Sequence, residues 1–105
     1  MGQWDVHHNP VQRARDEIPY LVVLQSHLLD DLPTRLVAPL SRSSVLAPAL
    51  PQRLVPRFEV AGEWLALKPH EAGVIDQRML GRPVASLREH SHRIIDALDT
   101  VISGV

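Results

Sequence analysis

Apolar and polar positions alternate in short runs over most of this chain, and the period changes only near its end. Trp4-Asp5-Val6-His7 alternates and predicts a first strand, turned by Asn9-Pro10. Val11 to Glu17 is polar and reads as a loop. Tyr20-Leu21-Val22-Val23-Leu24-Gln25 is the strongest strand signal, aromatic and β-branched after Pro19. Its near-continuous apolarity predicts burial on both faces or a contact with a second copy. Arg35-Leu36-Val37-Ala38 predicts a short strand stopped at Pro39. Residues 41–54, with Pro48 and Pro51, read as a long connection. Arg57-Phe58-Glu59-Val60 and Glu63-Trp64-Leu65-Ala66-Leu67 flank Ala61-Gly62 and predict a hairpin. Phe58 and Val60 are expected to share a face with Trp64 or its neighbours. Gly73-Val74-Ile75 and Pro83-Val84-Ala85 predict short final strands.

From Leu87 onward the apolar residues Leu87, Ile94, Ile95, Leu98, Val101, Ile102 and Val105 recur at three- and four-residue steps. That is the stripe of an amphipathic helix. Ser86 and Glu89 have the spacing of a capping box at its start. The nine Pro residues lie between positions 10 and 83, so none interrupts this helix. Five or more short strands followed by one helix predict a mainly β chain, a small barrel or bent antiparallel sheet with a helix at one end. The expectation is one domain over residues 1–105, with a β-rich body (1–85) and a C-terminal helix and tip (86–105).

Composition adds exclusions. Hydrophobic residues make up 45% and charged residues 22%, the balance of a folding chain. The formal charge of −1 argues against a nucleic-acid binder driven by bulk charge. Without Cys there is no disulfide or thiolate chemistry. No apolar run has membrane-spanning length, and the first residues lack the pattern of a signal peptide. The expectation is a cytoplasmic protein with no membrane role.

Six His residues raise the possibility of a metal. His7-His8 point oppositely on a strand, and His90 and His92 diverge on a helix, so neither pair has ligand spacing. No metal or other cofactor is expected. Most apolar stripes pack inward, yet the stripe here reaches Ser103-Gly104-Val105, where it can meet a partner.

Gln25-Ser26-His27-Leu28-Leu29-Asp30, then Thr34-Arg35-Leu36-Val37-Ala38-Pro39-Leu40, resembles the CcdB-like toxins of bacterial toxin–antitoxin pairs. The likeness continues through Leu54-Val55-Pro56, the Trp64 hairpin and Pro83-Val84-Ala85-Ser86-Leu87, and so covers nearly the whole chain in order. The resemblance implies an SH3-like barrel with a long C-terminal helix, assembled as a homodimer. It implies a non-enzymatic toxin that inserts into the DNA gyrase A subunit and traps the enzyme–DNA cleavage complex. An antitoxin with a disordered C-terminal segment would neutralise it and co-repress the operon. DNA is contacted only through gyrase or that complex.

Carried over by position, the gyrase-facing residues are Ser103, Gly104, Val105, Asp99, Leu28 and Leu29. The best-known members end in Trp-Gly-Ile, so Ser103 stands where they have Trp. An indole stacks on a partner cation, whereas a serine hydroxyl does not. Asp99 stands where Asn is usual. Arg13, Arg15 and Arg42 lie in predicted loops and suit an acidic antitoxin segment. Two alternatives remain. One is a ribonuclease toxin on a related barrel, using His7, Arg13, Arg15 and Asp76, whose spacing does not bring them together. The other is a non-toxic member that only binds antitoxin and regulates its operon.

Overall fold

The computed structural model describes residues 2–42 and 53–104. The expected long connection therefore lies mostly outside the described residues. Among the described residues seven strands form one antiparallel sheet: β1 (Asp5–His8), β2 (Tyr20–Val23), β3 (Thr34–Ser41), β4 (Arg57–Val60), β5 (Glu63–Leu67), β6 (Gly73–Asp76) and β7 (Ala85–Ser86). The order is β4-β5-β3-β2-β1-β7, with β6 also paired to β3. One helix, α1 (Ser91–Ser103), follows. The chain is thus mainly β, a nearly closed barrel-like sheet with a C-terminal helix.

β3 does not stop at Pro39. It runs eight residues, to Ser41. The reason lies in a change of partner along one edge. Thr34 to Val37 pair with β6, and Leu40 and Ser41 pair with β5. Pro39 falls between these two blocks. Its carbonyl accepts from the Lys68 N–H at 3.0 Å. Its missing N–H would point to the same edge, at the junction where neither β5 nor β6 pairs with it. Proline is tolerated in a sheet where the ladder does not ask for a donor.

The β4–β5 hairpin forms as expected, with Val60 opposite Glu63 and Phe58 opposite Leu65. Ala61 (φ +53°) and Gly62 (φ +80°) both take the left-handed backbone that a two-residue type I′ turn requires. Leu65, not Trp64, shares the buried face with Phe58. Trp64 sits opposite Glu59 and is exposed.

The main core gathers one face of the sheet. Val6, Val22, Ala38, Leu40, Phe58, Val60, Leu65 and Leu67 meet Trp4, Leu24, Leu87 and Ile94. A second cluster, Val23, Val37 and Leu80 with Leu21 and Ile75, covers the opposite face. Two clusters on two faces explain the unbroken apolar run in β2. That strand ends at Val23 rather than Gln25, because Gln25 turns its amide to the next loop.

The approach to the helix also differs from expectation. The Leu87 N–H donates to the Trp4 carbonyl (2.9 Å), and Leu87 is buried. This tie to the start of β1 delays the α-helix. Ser86 Oγ accepts from the Arg88 N–H, but Leu87 and not Ser86 stands at the cap of the 3-10 turn Arg88–His90, and α1 begins only at Ser91, so the expected capping box does not open the helix. The final strand is likewise shifted, from Pro83-Val84-Ala85 to Ala85–Ser86, with Val84 N–H bonded to the Val6 carbonyl. The 11–17 loop contains one 3-10 turn, Gln12–Ala14. Buried Asn9 pins that loop: its Nδ2 donates to the Ile18 carbonyl and its Oδ1 accepts from the Val11 N–H.

Candidate functional site

The helix stripe divides into an inner and an outer part. Ile94 and Ala97 are buried, and Leu98 packs partly on the core. Ile95, Val101 and Ile102 face outward, with Ile102 82% exposed. The helix therefore anchors by its first two turns and presents apolar side chains at its end.

That end is finished locally. Gly104 has φ +73° and its N–H donates to the Thr100 carbonyl, a left-handed helix stop that glycine adopts without steric penalty. The Ser103 hydroxyl donates to the Asp99 carbonyl at 2.6 Å. The group in place of an indole is thus turned back onto its own helix, although Ser103, Gly104 and Asp99 are all exposed. Val105 lies outside the described residues.

Leu28 and Leu29 stand on a different element, the 3-10 turn His27–Leu29 between β2 and β3. Ser26 caps it by accepting from the Leu28 N–H. Leu28 is 83% exposed and Leu29 about half exposed. An isolated exposed leucine is unremarkable, but two in succession on a capped turn offer an apolar contact.

The three arginines assigned to an antitoxin come from one region. Arg15 Nε donates to the Asn9 carbonyl at 2.5 Å. Arg42 forks onto Glu63 (2.6 and 3.3 Å) and also donates to the Arg15 and Asp16 carbonyls. The Glu63 hydrogen bond, offset slightly by desolvation, raises the Arg42 pKa. Arg13 is exposed in the last turn of Gln12–Ala14, with no ion-pair partner among the described residues. Beside this loop runs an apolar cleft of about 430 Å³, lined by Val11, Ile18, Leu21, Pro39, Val74 and Met79 among others.

The candidate ribonuclease residues are not assembled into a site. The His7 ring is fully buried, with Nδ1 2.8 Å from the Gly81 carbonyl and Nε2 unpartnered. It cannot reach a phosphate in solvent. Asp76 is taken up by Arg78, whose Nη2 lies 2.8 Å away.

Sequence reasoning gave no role to Gln25 or Arg35, which stitch the Leu28–Leu29 loop to the sheet. Gln25 carries no signal of this in its local pattern. A lone Arg inside an apolar strand run was the available hint for Arg35, since arginine is rarely buried without a partner.

No helix among the described residues is long and apolar enough to cross a membrane. No curated protein matches the chain. The family described as CcdB protein matches residues 3–104, nearly the full length, including every described residue of both exposed contacts. This chain belongs to the CcdB family, toxins of bacterial toxin–antitoxin pairs that in general act on gyrase.

Proposed function

We propose that this protein is a cytoplasmic, homodimeric toxin that acts by binding and not by catalysis. Its target is the gyrase A subunit, and its effect is to trap the gyrase–DNA cleavage complex. Family membership over residues 3–104 carries the reading. The exposed helix end and the exposed Leu28-Leu29 turn support it. With Ser103 bonded to its own helix, the apolar part of the tip falls to Ile102, which a dimer would present twice. Leu28 and Leu29 supply the second contact, and Gly104 and Val105 the backbone end.

A cognate antitoxin would lay a disordered segment along the Arg13–Arg15 face. The adjoining cleft takes apolar side chains and Arg13 takes a carboxylate, while Arg15 and Arg42 frame the loop. Antitoxin binding there is the basis of neutralisation and of operon repression.

Supercoiling and cleavage assays with purified gyrase are the direct test. Cleaved DNA should accumulate at micromolar toxin, and its absence would sink the reading. Removing residues 103–105 should abolish trapping and leave the thermal midpoint nearly unchanged. A large loss of stability would make the tip part of the core. The inward bond of Ser103 favours a second reading, a member that has lost toxicity but still binds antitoxin. Normal growth of a gyrase-sensitive host expressing the protein would favour that one.

A further inference from the structure

The loop between β2 and β3 has no buried residue from Ser26 to Pro33. Hydrophobic burial therefore does not hold it. Besides its own turn bonds and the Gln77 N–H on the Pro33 carbonyl (2.9 Å), hydrogen bonds from two side chains, set just before and just after the loop, hold it. Gln25 Nε2 donates to the Thr34 carbonyl at 3.0 Å and the Leu29 carbonyl at 3.3 Å, while its Oε1 accepts from the Leu36 N–H at 3.0 Å. Arg35 Nη1 donates to the Leu32 (2.7 Å) and Thr34 (2.9 Å) carbonyls, and Nη2 to the Asp30 carbonyl at 3.2 Å.

Arg35 is only 3% exposed. Its nearest carboxylate oxygen, Asp30 Oδ1, is 3.9 Å away, and its Nε has no partner. A buried charge satisfied this incompletely is a poor device for stability alone, since an apolar residue of similar volume often does as well. A rigid planar fork does provide geometry, fixing the Asp30 and Leu32 carbonyls of the loop and the Thr34 carbonyl at the start of β3 in one arrangement. The residues so fixed follow directly on Leu28 and Leu29.

We infer that Arg35, together with Gln25, is a positioning residue of the target-binding surface. The fork holds the β2–β3 loop so that Leu28 and Leu29 are displayed in their bound arrangement before the target arrives. A contact ordered in advance loses less conformational entropy on binding. This inference rests on the gyrase reading above, which supplies the target. The loop order itself can be measured without one.

The test compares the full-length protein with Arg35→Met, which keeps an unbranched apolar stem and removes the fork, and with Gln25→Ala. Arg35→Lys keeps the charge as a point donor. Amide exchange at Leu29, Asp30 and Leu32 should quicken about tenfold in Arg35→Met, the size expected for losing a charge-assisted bond, and by less in Gln25→Ala, with the amides of β1, β2 and β3 unchanged except Leu36, whose acceptor Gln25→Ala removes. Unchanged loop exchange would overturn the inference. Affinity for a gyrase A fragment should fall about tenfold in Arg35→Met and less in Arg35→Lys. In a Leu28→Ala, Leu29→Ala background, Arg35→Met should cost nothing further. An equal loss in both backgrounds would show Arg35 acting through the fold at large and end the proposal. Wild-type protein that fails to bind the fragment would remove the gyrase reading, and the inference with it. Wild-type binding without background dependence removes the inference alone.

Discussion

Ala61 occupies a left-handed backbone position (φ +53°) that suits Asn or Gly better than an ordinary L-residue. Ala61→Asn should therefore stabilise the protein by about 0.5–1 kcal/mol, read by chemical denaturation. Gly104 is the reverse case. A Cβ there would meet no atom within 4 Å, so Gly104→Ala carries only backbone strain, about 1 kcal/mol at the helix end. Asp76 illustrates electrostatics at this scale. Hydrogen bonds from the Arg78 side chain, and then from its N–H, hold the carboxyl down at about 2 instead of 3.8. A depressed carboxyl contributes stability above its ordinary value and loses it as pH falls from about 3.8 toward 2. In a carboxyl NMR titration, Arg78→Ala should raise the Asp76 midpoint while the backbone bond keeps it from returning fully. An unmoved midpoint would refute the assignment. All three features are local: each rests on neighbours within four residues in sequence.

The helix shows how an element acquires two jobs. Its stripe was legible in the sequence, but only packing divided Ile94 from Ile102, because both belong to the same apolar series. Ile94→Ala should cost about 2–5 kcal/mol by leaving a cavity in the main core. Ile102→Ala should change stability by less than about 0.5 kcal/mol and weaken target binding. A denaturation curve paired with a gyrase-fragment titration separates the two. The helix also leans on the hairpin: the Arg93 guanidinium lies 4.5 Å from the Phe58 ring centroid and donates to the Arg57 carbonyl. Arg93→Ala should cost about 1 kcal/mol, since the cation–π contact is solvent-exposed. The hairpin was legible because its turn chemistry is local. The length of β3 was not, because Pro39 is harmless only where β6 gives way to β5, and that junction is a long-range arrangement.

At the scale of the whole molecule, an apolar helix end and an apolar turn face solvent, while a groove beside Arg13 lies open. The protein is expected to sediment at micromolar concentration with twice the 11.7 kDa chain mass. A monomer under those conditions would contradict the dimeric reading. By itself the sequence determined the class of fold, the hairpin, the terminal helix and the family resemblance, because periodicity, turn residues and motif order are written in consecutive positions. Through that resemblance it also proposed Leu28, Leu29, Asp99, Ser103, Gly104 and Val105 as gyrase-facing positions. Tertiary structure alone decided that Ser103 bonds back to Asp99, that Arg42 is committed to Glu63, and that buried Arg35 and Gln25 hold the Leu28–Leu29 loop. Those facts depend on which donors meet which acceptors after the strands have paired, and side-chain hydrogen bonds between elements leave no period in the sequence.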